Sequence, residues 1–491
     1  METTRAPSTE ATARRGAALV ICLIGGFLTL LDVSIVAVAL PSMEKSLRMT
    51  TAEVSWSVSG YSLAFGLVLV PAGRLGDLFG RRRLLLLGLF LFAATGILCG
   101  AATSGAMFVF ARLARGASAG LIAPQSVGLI QQMYPPKERG RAFGLYGATV
   151  GVSTAIGPIV GGAILNGIGG HDAWRYVFYV FVPIAVVALV AGWFVLPRDR
   201  TRYQRHSLDL VGTALLGAAV VLIMLPLIDA EGAKSQPGWW RLALGVVLLA
   251  GFFVWERVLD ARGGMPLLAP KLVAIRGYAV GTAIGTTFYA GFTGIFLTFS
   301  LFFQQGLKFT PLHGALTTII FVISSAVFAV GSGRLVNRFG QRMVAVGCLA
   351  VAVGLFVTGL ELRNLNPSGA AATLALPLLI AGIGSGLVIA PNQTLTMHSV
   401  PREQGGMAAG GFQTGQRVGT AMGTALAATL YFGELARSHG NFHEAAQLSL
   451  FGSAAMAALT FLIATADILI PHRAPADQPT PLVHAAGAGS A

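Results

Sequence analysis

The sequence predicts an all-α protein that crosses a membrane fourteen times, built as two six-helix pseudo-symmetric halves with two further helices inserted between them. Three observations carry this prediction: apolar stretches of span length along nearly the whole chain, basic residues segregated between alternate connections, and two motifs that each occur twice at nearly one offset.

Of the 491 residues, 54% are hydrophobic and 11% charged, with 63 glycines and a mean hydropathy of +0.72. Soluble domains carry about 25% charged residues, and about 20 apolar residues take a helix across the hydrocarbon core. Hydropathy, with Pro, Gly and charge as punctuation, places spans at 17–40, 54–72, 84–103, 107–133, 142–166, 175–196, 209–228 and 239–256. The remaining six follow at 278–303, 312–332, 343–361, 372–398, 407–431 and 447–470. The first run, from Ala17, is too long for the apolar region of a signal peptide and lacks a small-residue cleavage site.

A net charge of +14 raises the question of nucleic acid, but the basic residues lie between apolar segments rather than in one face or tail. No nucleic-acid partner is expected, because positive-inside bias explains the same charges. With the N-terminus inside, 23 of the 34 Lys and Arg residues fall in inner segments and 8 in outer ones. The other three, Arg112, Arg115 and Arg417, lie within spans. Both termini are therefore expected in the cytoplasm and the chain in the inner (plasma) membrane. Cys22, Cys99 and Cys348 sit in apolar runs without metal-ligand spacing and read as small core hydrophobes, so no metal is expected.

The expected division is a disordered cytoplasmic tail at 1–16, an N-terminal half at 17–197, two inserted helices with their cytoplasmic loops at 198–276, a C-terminal half at 277–470, and a second disordered tail at 471–491. The duplication itself is visible in residues. Gly73-Arg74-Leu75-Gly76-Asp77-Leu78-Phe79-Gly80-Arg81-Arg82 matches Gly333-Arg334-Leu335-Val336-Asn337-Arg338-Phe339-Gly340-Gln341-Arg342 at an offset of 260. Pro136-Lys137-Glu138-Arg139-Gly140 matches Pro401-Arg402-Glu403-Gln404-Gly405 at 265. Both copies of each fall on the cytoplasmic side, so the halves share an orientation about an axis along the membrane normal, with a substrate site expected between them near the midplane. The same residues also suit tight turns, where glycine supplies backbone freedom.

An ionised carboxylate in hydrocarbon must pair, neutralise or face water, which makes Asp32 a candidate functional residue. At 1.5 Å per residue, Asp32 lies about 13 Å below the outer end of the first span and Arg112 about 8 Å below that of the fourth, a difference within the error of span boundaries. Burial and the arginine act oppositely on the proton affinity of the acid, so a conformational change could exchange a proton there. The competing reading is an ion pair that only fixes helix packing. Arg417 is deep in the thirteenth span, with Asp467 as the sole acid near its depth. Trp56, Tyr61, Gln125, Phe288, Tyr289, Asn392, Gln393 and Gln413 are the polar or aromatic span residues that could face cargo; aromatic rings suit flat apolar molecules and cations, and plain packing is the alternative at each. Gly157, Gly161 and Gly162 would let a neighbouring helix approach closely, and Pro158 would bend the fifth span. Gly382 to Gly386 lies inside a span and follows no strand, which excludes a nucleotide-binding loop.

These residues resemble a known family over nearly the whole chain: the major facilitator superfamily, and within it the fourteen-helix drug:proton antiporters of multidrug efflux type. Gly73 to Arg82 looks like the signature loop between helices 2 and 3, whose equivalents of Gly73, Asp77, Gly80, Arg81 and Arg82 form a charge-based latch for the outward-facing conformation. Leu31 to Pro41 is similar to the helix 1 motif, with Ser34 in place of Thr and Ala37 in place of Asn. Arg112 to Gly116 is similar to the helix 4 motif, with Arg115 in place of Gln. Ala155 to Gly162 resembles the antiporter motif of helix 5, and Trp174-Arg175-Tyr176-Val177-Phe178 with Pro183 looks like the start of helix 6 in drug exporters, with Phe181 where Asn is frequent. Gln416-Arg417-Val418-Gly419 also has a counterpart. The resemblance implies a major facilitator fold and a transporter rather than an enzyme. It further implies that small lipophilic or cationic compounds, such as drugs, antibiotics and natural products, are exported in exchange for protons by alternating access. Proton coupling would fall to Asp32 and Arg112. The partners implied are a small-molecule substrate, protons and membrane lipid, with a monomer as the working unit and no cofactor beyond the coupling proton. A dedicated exporter of one lipid, peptide or metabolite is the alternative, as is a proton-coupled symporter, which Gly157-Pro158 disfavours.

Overall fold

The computed structural model describes residues 9–198, 209–231 and 238–470. Among these the regular elements are helical throughout. The N-terminal half comprises α1 (Thr9–Leu47), α2 (Thr51–Phe79), α3 (Arg81–Gly100), α4 (Gly105–Met133), α5 (Pro136–Ile168), α6 (Trp174–Tyr179) and α7 (Phe181–Val195). The inserted pair is α8 (Leu210–Glu231) and α9 (Trp240–Ala261), followed by the short α10 (Pro270–Ala274). The C-terminal half comprises α11 (Arg276–Leu301), α12 (Pro311–Thr317), α13 (Ile319–Phe339), α14 (Gln341–Leu362), α15 (Ala370–His398), α16 (Gly405–Arg437) and α17 (Phe442–Leu469).

Eleven helical segments among the described residues are long and apolar enough to cross a membrane. The spans expected at 142–166, 209–228 and 407–431 coincide with α5, α8 and α16. The first two contribute shorter apolar stretches, Ile159–Ile168 and Leu210–Pro226, and α16 is diluted by small and polar residues. The helix containing the first span begins at Thr9 rather than Ala17, so residues 9–16 of the expected tail are helical; residues 1–8 and 471–491 lie outside the described residues.

Local chemistry sets the helix ends. Thr50 and Glu53 form a reciprocal capping box at the start of α2, satisfying otherwise orphaned N–H groups. Gly80 and Gly340, related by the 260-residue offset, take positive φ angles of 104° and 52° to join α2 to α3 and α13 to α14, a backbone state that L side chains resist. The Trp174-Arg175 pair acts as a staple at the opposite end of the bundle. Arg175 donates to the Gly100 and Ala102 carbonyls at 2.8 and 2.7 Å, and its guanidinium lies over the Trp174 ring. Hydrogen bonds from Arg175 and Ser46 hold the loop carboxyl of Asp172 below the usual carboxylate range.

The halves form two apolar cores, one chiefly α1–α5 and α7, the other chiefly α11 and α13–α17. Met407, Ala408 and Phe412 of α16 belong to the first, so the C-terminal half enters the core of the N-terminal half at the end carrying the repeated loops, called here the basic end. The inserted helix α8 packs on α2 and α16 and covers their seam.

Candidate coupling centre and cargo site

Asp32 on α1 is completely buried, and both of its oxygens are occupied. Oδ2 accepts from Arg112 Nη1 and Oδ1 from Arg115 Nε. The sequence places these arginines three residues apart on α4, a spacing that puts them on one helix face, and that face meets α1 at the acid. Arg112 also donates from Nε to the Ser57 carbonyl at 2.8 Å and lies over the Tyr61 ring at 4.4 Å. Arg115 donates to the Phe92 carbonyl at 2.9 Å, beneath the rings of Phe92 and Phe181. The expected couple of Asp32 with Arg112 is thus a triad with a net charge of +1, closed off from solvent on every side.

The residues of the helix 5 motif act on the same helix that carries the acid. A Cβ on Gly157 would collide with Ser34 of α1, whose Oγ donates to the Ser153 carbonyl at 3.1 Å, and one on Gly161 would meet Ile35 at 3.1 Å. Gly162, expected to share this role, has nothing within 4 Å of its Cβ position, because it points away from α1. Pro158 lies within α5.

At the basic end the two repeated motifs meet crosswise. Gly73 of α2 packs on the Gly406 carbonyl of α16, and Gly140 of α5 packs on the Gly333 carbonyl of α13. First copies therefore touch second copies at both seams, as a twofold relation between halves requires. One seam also carries charge: Asp77 accepts from the backbone N–H groups of Gly406 and Met407 at 3.1 and 2.8 Å. These are orphan donors at the positive end of the α16 dipole. Arg81 secures the carboxylate from behind at 2.8 Å and donates to the Gly128 carbonyl. Arg82 turns instead to the Trp193 carbonyl and ring on α7. Asp77→Asn is expected to weaken this closure by about 2 kcal/mol, the scale of a hydrogen bond to a charged group, and so to raise the open population about 30-fold. The alkylation rate of a cysteine placed at Ala408, fully buried while the end is shut, measures it; an unchanged rate would exclude Asp77 from the latch.

The residues expected to face cargo divide. Gln125 donates to the Ala72 carbonyl at 2.7 Å, pressed against Gly76, and Asn392 donates to the Gly281 carbonyl at 2.9 Å; both amides serve helix packing. Gln413 reaches the Ala123 carbonyl across the halves at 3.4 Å, and Gln393 is buried. Phe288 stacks on Phe292, with Tyr289 at its edge, and Trp56 is exposed. Tyr61 belongs to the triad's surroundings and donates to the Thr29 carbonyl at 2.8 Å. Arg417 lies over Phe65 at 4.4 Å. Its expected partner is engaged elsewhere, since Asp467 pairs with Arg276 at 2.8 Å, because α17 presents that acid to the start of α11. Two contributors lie near the ends of expected spans, where a polar residue is ordinary and gives little signal. Gln131 donates across the halves to the Met397 and Val400 carbonyls, and Glu256, fully buried at the end of α9, accepts from the Leu268 N–H.

Comparison with known proteins supplies the context for this architecture. The chain is 33% identical over 426 residues to a probable actinorhodin transporter of Streptomyces coelicolor, covering 86% of this chain and 73% of the relative. It is 30% identical over 435 residues to a tetracenomycin C resistance and export protein of Streptomyces glaucescens, covering 86% and 77%. The solved structure of the proton:xylose symporter XylE superposes with a TM-score of 0.66 at 16% identity, covering 94% of this chain and 96% of that one. The family profile described as Major Facilitator Superfamily matches residues 22–424 and 281–485. With that match, a buried charge centre between α1 and α4, and twofold seams joining two helical halves, the chain belongs to the major facilitator superfamily and is a multi-pass membrane transporter rather than an enzyme.

Proposed function

We propose that this transporter exports small, largely apolar compounds in exchange for protons, and that the exchange passes through Asp32. The observation that carries the reading is the Asp32–Arg112–Arg115 triad: an acid with both oxygens bonded to arginines, wholly buried inside a span. A packing role alone is a poor reason for such a centre, since apolar residues of similar volume usually serve as well or better. A centre that must be opened, protonated and resealed needs charges that hold one another when no proton is present. The relatives named for resistance and export support the direction.

The reading has these parts. The chain spans the plasma membrane fourteen times as a monomer, with both termini and the basic end in the cytoplasm. The state with Gly73, Asp77 and Gly140 engaged is then the outward-facing one. A proton entering from outside reaches Asp32 when a guanidinium moves aside; neutralising the acid frees that arginine and loosens α1 against α4 and α5. The basic end opens, cargo enters from the cytoplasm or inner leaflet, and loss of the proton to the inside re-forms the triad. The proton is the coupling ion, with no other cofactor.

Purified protein in liposomes, with a pH-sensitive dye inside and an imposed proton gradient, tests the proposal. Proton movement is expected when a lipophilic aromatic compound is added, and little without it. Movement of cargo with no movement of protons would make the protein a facilitator, and cargo moving with the protons in the same direction would make it a symporter.

A further inference from the structure

Arg417 is a partly buried charge within a span that the coupling centre does not use. It lies on α16, which packs against α2, α4, α8, α11 and α17, and its Cβ is 3.9 Å from the Cβ position of Gly66 on α2. Its Nε is buried with no hydrogen-bond partner. The acid nearest in the sequence reading, Asp467, is held by Arg276, and Asp32 has both oxygens committed to other arginines. The ionisable groups that bear on Arg417 are three tyrosines, Tyr61 and Tyr146 from the N-terminal half and Tyr289 from the C-terminal half, all neutral at physiological pH. Phe65 lies under the guanidinium at 4.4 Å.

Arg112 and Arg115 thus share one carboxylate while Arg417 has none, and the excess is positive. In a low-dielectric interior an unpaired guanidinium calls for a negative partner, and its planar fork of donors fits a carboxylate, or a phenolate beside a carbonyl, through two parallel hydrogen bonds. The Phe65 ring beneath it, with Tyr61 edge-on, fits a flat aromatic body. A cationic cargo, by contrast, would meet positive charge at both ends of the Tyr61 and Phe65 pair, whose rings lie 5.9 Å apart with Arg112 of the net-positive triad over the first and Arg417 over the second. We infer that Arg417, with Phe65 under its guanidinium and Tyr61 edge-on to Phe65, binds the acidic group of the cargo, so that the exported class is flat aromatic acids rather than lipophilic cations. This rests on the export reading and, within the lipophilic or cationic compounds expected from sequence, puts acidic aromatic compounds in place of the cations.

The test uses 1-hydroxy-2-naphthoate and its methyl ester, twins that differ by the negative charge, titrated by their fluorescence against the full-length protein in detergent micelles. Wild type is expected to bind the acid at least tenfold more tightly than the ester. Arg417→Gln should weaken the acid tenfold or more and leave the ester within twofold, and Arg417→Lys should fall between, keeping the charge and losing the fork. Equal affinity for the twins in wild type, equal loss of both in Arg417→Gln, or no saturable binding of the acid would overturn the assignment. Should Arg417→Gln fail to fold, Phe65→Trp keeps Arg417 and places a reporter against it; quenching by the acid and not by the ester is expected, and its absence counts against the site. The liposome assay separates the two readings. Proton exchange driven equally by acid and ester would leave export standing and remove the anion site, whereas acid-selective binding without proton movement would do the reverse.

Discussion

Asp32→Asn is expected to abolish cargo-dependent proton movement and to lower the thermal midpoint of the protein, and the two losses are separable. In the wild-type triad one negative charge faces two fully buried guanidiniums. Replacing it with a neutral amide of the same shape leaves two like charges together in the interior, and removing one partner of a buried pair costs about 3–5 kcal/mol. If stability were the only function of Asp32, relieving that repulsion would restore everything. Asp32→Asn combined with Arg115→Gln removes one of the two charges and lets the Asn carbonyl accept from Arg112; this double variant is expected to recover more than half of the lost stability and none of the coupling. Arg115→Gln alone retains the Asp32 and Arg112 pair and should still exchange protons. Thermal unfolding and liposome flux on the same three proteins decide the matter. Coupling that returns with stability would make Asp32 a packing residue and move the proton to another group.

Much of this centre was legible in the sequence because an acid inside an apolar span is rare, and helical rise gives its depth. That arithmetic put Asp32 and Arg112 within reach of each other, and the spacing of three between Arg112 and Arg115 contained the second contact as well. What spacing does not contain is which helix a face meets. Gln125 and Asn392 stood out as polar residues inside spans, yet both amides bond backbone carbonyls of neighbouring helices, the partner most available to a polar side chain where water is scarce. Gly162 looked like Gly157 and Gly161, and only the rotation of α5 distinguishes it. Arg417 was visible as an odd charge, but its want of a partner became evident only when α17 turned Asp467 toward Arg276. The expected helix ends also differ from the observed ones, since hydropathy reports the hydrocarbon thickness while helices such as α1 continue beyond it.

The repeat was legible as well, and its physical use yields the prediction with the other large effect. A methyl group on Gly73 would fall on the Gly406 carbonyl, and one on Gly140 would fall on the Gly333 carbonyl. In both cases the obstacle is backbone, which cannot rotate out of the way as a side chain tip could. Overpacking of this kind costs about 1–3 kcal/mol per site, so Gly73→Ala with Gly140→Ala should disfavour the closed basic end by about 2–6 kcal/mol, roughly 30-fold to 10⁴-fold in population. The fold itself should not suffer, because alanine is the better helix former by about 1 kcal/mol at each position and the clash exists only while the halves are shut. Spin labels at Phe79 and Phe339, exposed positions related by the repeat on opposite halves, report the separation, and the three native cysteines are buried and contribute little background. The double variant is expected to show a longer distance, an unchanged or higher thermal midpoint, and no transport, since a carrier that cannot seal the basic end cannot complete its cycle. A midpoint that falls by several degrees with no change in distance would mean that these seams belong to the permanent core, and that the moving contact lies elsewhere.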